Sequence, residues 1–133
     1  MSPRFIVDIS GEREKRDIYL HMITGALIFT YAVDGDVVFF KMNVSTSFES
    51  FMIKKRYTQF AELYVALQQS FPEIKLPSLP EKHLKLIIDH TSPEFAFKRQ
   101  TALNQFVQDL LAIREIENSD ALIEFFTSDR IKV

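Results

Sequence analysis

Between Leu27 and Arg56 β-branched, aromatic and alternating apolar residues predict strands, and from Tyr57 onward apolar positions recur at helical spacing. Leu27-Ile28-Phe29-Thr30-Tyr31-Ala32-Val33 is β-branched and aromatic, Asp34-Gly35 offers a two-residue turn, and Val37 to Val44 follows with period-two alternation. This predicts a β-hairpin. A third strand from about Ser50 to Arg56 completes a three-stranded antiparallel meander, with Met52, Lys54 and Arg56 on one face and Phe51, Ile53 and Lys55 on the other. Upstream, Phe5-Ile6-Val7-Asp8-Ile9 is a further candidate strand, followed by the charged loop 11–17. Taking it as the first strand would shift the assignments before Val37.

The helical period begins with Phe60, Leu63, Tyr64, Leu67 and Phe71 on one face and Gln59, Glu62, Gln68 and Gln69 on the other. Pro72 ends that helix. Leu76-Pro77-Ser78-Leu79-Pro80-Glu81-Lys82 then forms a stiff extended loop, since its prolines fix the backbone and remove two amide donors. Ser92-Pro93-Glu94 supplies a cap, a first-turn proline and a first-turn acid, and opens a helix predicted to run to about Ile113. Its core face is Leu103, Phe106, Val107, Leu110 and Leu111, and Asn118-Ser119-Asp120 starts a last short helix through Leu122, Phe125 and Phe126. The expected class is α+β: the three-stranded meander, then a helical subdomain with a proline-rich loop.

A chain of 133 residues is expected to form one domain, 1–133, burying about two thirds of the surface its unfolded form exposes. Thirteen phenylalanines with no tryptophan is an unusual aromatic choice, and most of those rings are expected in the core. The lack of cysteine removes disulfides, a thiolate nucleophile and sulfur-ligated zinc, and fits a reducing, cytoplasmic compartment. No run of about 18 apolar residues is present, so membrane contact is expected to be peripheral. The net charge of −2 argues against nucleic acid as a partner. Its distribution is uneven: residues 53–99 carry 8 basic and 5 acidic side chains, against 5 and 7 before them and 3 and 6 after. A local cation cluster in an acidic protein suits a discrete anionic group better than a long polyanion.

The densest part of that cluster, Lys54-Lys55-Arg56-Tyr57-Thr58-Gln59-Phe60, lies where the period changes from two to helical. Arg56 has a planar fork that can hold a phosphate in two places, and Tyr57 has a flat face against which a sugar or inositol ring can lie. A strand ending in solvated charges ahead of a core aromatic is the alternative. Three local patterns, in this order, resemble the PX (Phox homology) domain, the phosphoinositide-binding module of sorting nexins and related proteins. They are Lys55-Arg56-Tyr57-Thr58-Gln59-Phe60, the proline loop Leu76 to Lys82, and Arg99 four residues before Leu103 and seven before Phe106. The similarity runs from about Val37 to Phe126, and residues 1–26 match poorly as an extension or first strand.

The resemblance implies that Arg56 grips the 3-phosphate of phosphatidylinositol 3-phosphate and that Tyr57 floors the inositol ring. Lys82 would contact the 1-phosphate and Arg99 the 4- and 5-hydroxyls. Each residue also has a plainer reading. Arg99 shares a helical stripe with Leu103, Phe106 and Leu110, and could snorkel past its end or pair with Glu62. Lys82 could be an ordinary exposed lysine, and Tyr57 ordinary core packing.

Lys55 and Lys85 count as auxiliary cations. The stretch around Leu84, Leu86, Ile87 and Ile88 is expected either to insert into a membrane or to close the core as a helical turn. Four aliphatic side chains leaving water would contribute several kcal/mol, and Lys85 about 1 kcal/mol toward anionic lipid. Headgroup contact with shallow insertion would make a reversible two-signal anchor.

Enzymatic chemistry is not expected. Asp89-His90-Thr91-Ser92 has no triad spacing, three glycines make no phosphate loop, and no motif calls for a metal or cofactor. The expectation is a noncatalytic reader of phosphatidylinositol 3-phosphate, cytoplasmic and peripheral on early endosomes. The alternative is a PX-fold protein-interaction module, binding through the sheet edge or helical face, with weak or different lipid preference.

Overall fold

The computed structural model describes residues 22–82 and 91–132. The predicted meander is present: β1 (Ile23–Asp34), β2 (Val37–Thr46) and β3 (Ser50–Arg56) form an antiparallel sheet in that order. The hairpin turn falls one residue later than the sequence suggested, because Asp34 pairs with Val37 and leaves Gly35 and Asp36 as the loop. Gly35 takes φ +66° at the first central position, where a side chain would be strained and where the turn's twist suits the flanking strands. β1 also starts upstream of Leu27, and register shifts between Ile23 and Gly25 and between Ile28 and Thr30 interrupt its alternation. The candidate strand at Phe5 to Ile9 lies outside the described residues.

β3 passes directly into α1 (Tyr57–Ser70), with Arg56 both last strand residue and N-cap. The Arg56 backbone N–H donates to Gln59 Oε1 at 2.9 Å, satisfying a group the helix start would otherwise leave open. Ser92 caps α2 (Pro93–Leu111) by accepting from the Phe95 N–H at 3.3 Å, and Pro93 occupies the first turn. α2 ends two residues before the expected Ile113 and passes into a 3-10 turn at Arg114–Ile116. Ser119 caps α3 (Asp120–Thr127) through the Leu122 N–H.

The helices cover one face of the sheet. Ile28, Phe40, Met42, Val44 and Ile53 meet Phe60, Leu63 and Leu67 of α1, Leu103, Phe106 and Leu110 of α2, and Phe125 and Phe126 of α3. Edge-on rings link the layers: Phe40 to Phe60 at 6.5 Å between centroids, Phe60 to Phe125 at 5.1 Å and Phe125 to Phe126 at 5.0 Å. Phenylalanine is not confined to the core, however. Phe40, Phe60, Phe106, Phe125 and Phe126 are buried, whereas Phe29, Phe48 and Phe97 are exposed. α2 is also pinned to β1 by polar contacts. The Ile28 N–H donates to Asn104 Oδ1 at 2.9 Å and Gln108 Nε2 donates to the Ala26 carbonyl at 2.6 Å, so helix side chains satisfy strand groups that β2 does not reach.

One expectation is corrected. Lys55, taken as an auxiliary cation for an anionic ligand, is 1% exposed and sits on the core face beside Ile53. Its ammonium donates to Asp129 Oδ2 at 2.7 Å and Ser128 Oγ at 2.8 Å, and lies 4.7 Å from the centre of the Phe125 ring. Strand alternation turned it inward, and the segment after α3 supplies its counter-charge. That segment joins the free edge of β3: the Lys54 N–H donates to the Asp129 carbonyl, the Ile131 N–H to the Met52 carbonyl, and Ile53 forms a bridge with Arg130.

Removing the counter-charge should cost more than removing the charge. Asp129→Asn leaves a buried ammonium with neutral acceptors; because the Asp129 side chain is 48% exposed, the expected loss is about 1–2 kcal/mol at pH 7, below that of a fully buried pair. Lys55→Met should cost less, and comparison of urea midpoints checks the order. The hydrogen bond from Lys55, then that from Gln59, holds the Asp129 carboxyl below its ordinary value of 3.8. Its folded-state pKa is depressed, so its stabilisation is full above about pH 4 and disappears as pH falls through the folded value. The gap between wild type and Asp129→Asn should close over that acid range.

Candidate functional site

The end of β3, the first turn of α1, the proline loop and the early turns of α2 meet around Tyr57 and Arg99. Three prolines, Pro72, Pro77 and Pro80, keep the loop out of regular structure, which leaves its carbonyls available to side chains. The Tyr57 hydroxyl donates to the Pro80 carbonyl. Arg99 Nη2 donates to the Glu81 carbonyl at 2.9 Å. The loop is thus fastened at successive residues, once to α1 and once to α2.

Arg99 lies on the buried stripe of α2 with Ala96, Leu103, Phe106 and Leu110, and is 9% exposed. Its guanidinium carbon is 4.0 Å from the centre of the Tyr57 ring and 4.8 Å from that of Phe95, so two aromatic rings flank the charge. Burial lowers the Arg99 pKa from its ordinary value, opposed by the Tyr57 phenol. Burial likewise raises the Tyr57 pKa; Arg99 opposes that rise and Glu81 reinforces it. Arg99 therefore neither snorkels into solvent nor depends on Glu62.

The structure brings Tyr57, Arg99 and the Pro80–Glu81 backbone together, with exposed Lys82 next along the loop and exposed Arg56 next to Tyr57. Lys55 points away from this group. Leu84, Lys85, Leu86, Ile87 and Ile88 lie outside the described residues. Phe95 was missed in the sequence, although its spacing of four from Arg99 places both on one helical face. The Glu81 carbonyl had no signal, because any residue offers one.

Cations continue from Arg56 across the outer face of the sheet. Arg56 pairs in register with Phe39, and Lys54 with Lys41, an arrangement of like charges that costs some stability. Lys54 Nζ lies 4.9 Å from the centre of the Phe39 ring. Among the described residues no helix is long and apolar enough to cross a membrane, and no cluster of three or more His, Cys, Asp or Glu could hold a metal ion.

Comparison with known families fits this frame: the family model described as PX domain matches residues 43–129. The chain belongs to the PX domain family. Among curated relatives, this PX domain is 36% identical over 81 residues to sorting nexin-16 of Mus musculus, covering 61% of the chain and 23% of that protein. It is 38% identical over 73 residues to a probable serine/threonine-protein kinase of Dictyostelium discoideum, covering 55% of the chain and 3% of that protein. The chain thus spans less than a quarter of these relatives' lengths. Among solved structures, a designed CISK-PX domain superposes with a TM-score of 0.70 at 25% identity, covering 79% of this chain and all of that one. The family and the sorting-nexin relatives support a phosphoinositide-binding, membrane-targeting module of non-enzymatic kind. The kinase likeness transfers no catalysis.

The Tyr57–Pro80 bond can be tested alone. Tyr57→Phe keeps the ring under Arg99 and removes only the donor, so it should cost about 1 kcal/mol in urea denaturation. Faster amide exchange in the proline loop should accompany the loss.

Proposed function

We propose that this PX domain is a noncatalytic reader of phosphatidylinositol 3-phosphate, and that it holds itself and the protein carrying it on endosomal membranes from the cytoplasmic side. The observation that carries the reading is the state of Arg99. A guanidinium has five N–H donors, and this one is nearly withdrawn from water with one acceptor among the described residues, the Glu81 carbonyl. Its remaining donors suit ring hydroxyls, and the flanking aromatics restrict the orientations it can take.

In this reading Arg56 binds the 3-phosphate, Tyr57 supports the inositol ring, Lys82 meets the 1-phosphate and Arg99 bonds the 4- and 5-hydroxyls. Arg99 already covers one face of Tyr57, so a bound ring would use the other face or displace the guanidinium. A phosphate at the 4- or 5-position would crowd Arg99, which is the proposed source of selectivity. Lys41 and Lys54 add a less specific attraction to an anionic surface, sensitive to salt.

The second reading, a protein-interaction module of the same fold, draws on exposed Leu27, Phe29 and Val33 of β1 and Val65 of α1. Against simple strand addition, Asn104 and Gln108 already occupy the β1 edge at Ile28 and Ala26. Sedimentation with liposomes carrying each phosphoinositide in turn, at two salt concentrations, separates the readings. Wild type should pellet selectively with the 3-phosphate lipid, Arg56→Ala should stay in solution, and Arg99→Ala should bind at least tenfold more weakly or lose selectivity. Pelleting with no lipid would favour the protein-partner reading, and unchanged binding in both variants would refute the site.

A further inference from the structure

Three consecutive residues at the end of β3 are tied to one residue beyond the last helix. The Lys54 backbone N–H donates to the Asp129 carbonyl at 3.2 Å. Lys55 Nζ donates to Asp129 Oδ2 at 2.7 Å. For Arg56 the tie runs through one intermediary: its backbone N–H donates to Gln59 Oε1 at 2.9 Å, and Gln59 Nε2 donates to Asp129 Oδ2, also at 2.9 Å. Asp129 therefore fixes the strand backbone, the inward cation and, through Gln59, the residue proposed to hold the phosphate.

Two features set this apart from incidental packing. Asp129 has φ 60°, the sole positive φ of a non-glycine residue among those described, a conformation that aspartate tolerates better than most residues but that still carries strain. It persists because the bonds around it over-determine it. Moreover, both side-chain bonds converge on the same oxygen, Oδ2, so the carboxylate serves as a shared anchor instead of a lone ion-pair partner.

We propose that Asp129 and Gln59 are positioning residues for Arg56: without touching the headgroup, they hold the strand-to-helix corner from which the Arg56 fork is presented. The proposal rests on the headgroup reading above. It implies that the segment following α3, which runs along β3 through Asp129 and Ile131, is part of the binding apparatus.

The test uses the soluble headgroup inositol 1,3-bisphosphate as probe, titrated calorimetrically into wild type, Asp129→Gly, Asp129→Asn and Gln59→Ala. Glycine accepts the positive φ and removes the carboxylate, whereas asparagine keeps the shape and an acceptor oxygen. Asp129→Gly and Gln59→Ala should each raise Kd about fivefold, the scale of one net hydrogen bond, with Asp129→Asn recovering most of the loss. Amide exchange at Arg56 should accelerate in Gln59→Ala while exchange at buried Leu103 and Phe106 keeps its wild-type protection, which a general loss of stability would not allow; in Asp129→Gly, where loss of the Lys55 counter-charge lowers stability throughout, Arg56 should accelerate by more than Leu103 and Phe106. Should Asp129→Gly fail to fold, Gln59→Ala decides alone, since it breaks the relay and spares the Lys55 pair. Headgroup binding by wild type with unchanged Kd in the folded variants overturns the positioning role only. No headgroup binding by wild type overturns the headgroup reading and this proposal together.

Discussion

The period of two in β3 sends neighbouring cations to opposite sides of the sheet, and much of the structure answers that constraint. With Ile53 committed to the core, Lys55 must follow it and Arg56 must face out. A buried ammonium requires acceptors and a counter-charge, which Ser128 and Asp129 supply from the far end of the chain. The same contacts place the C-terminal segment along β3 and bring α3 against α1. Arg56, left on the outer face at the point where strand becomes helix, is exposed because its neighbour is not.

Arg99 is the complementary case, a buried cation with no carboxylate bonded to it among the described residues. Its charge is balanced by a carbonyl dipole and by the faces of Tyr57 and Phe95, which are weak partners for a desolvated guanidinium. An apolar residue of similar volume on that stripe would pack between Ala96 and Leu103 at no electrostatic cost. Where local stability and residue choice conflict in this way, the residue is better explained by what it does than by what it stabilises. The like-charged pair Lys41 and Lys54 argues in the same direction with less force, since both side chains remain solvated.

Much of this was legible in the chain itself, for identifiable reasons. The meander, the cap at Ser92, the proline loop and the Arg99 stripe all depend on local spacing, which a sequence displays directly. The hairpin turn slipped by one residue because Asp34-Gly35 and Gly35-Asp36 both contain the required glycine, and only the strand register chooses between them. Lys55 was assigned to the right face of β3 and still given the wrong role, because a run of three cations looks like one feature even though alternation splits it. Its partner stands 74 residues away, a separation no local pattern reveals. The site itself was partly visible: Tyr57 and Arg99 meet, while Phe95 and the Glu81 carbonyl needed three dimensions.

The proline loop accounts for how these parts act together. Its backbone is preset by proline, then fixed by Tyr57 at Pro80 and by Arg99 at Glu81, so Lys82 projects from a segment with little freedom left to lose. Arg56 projects from a corner held by Gln59 and Asp129, and Arg99 from a helix interior. Of the three cations in the proposed site, the Arg99 guanidinium is held by its own hydrogen bond, while Arg56 and Lys82 stand on backbone that is held but keep exposed side chains. In the proposed site that prior restraint favours binding, because a long basic side chain left free forfeits roughly 1 kcal/mol or more on being ordered, a cost that the Arg99 guanidinium has largely met already.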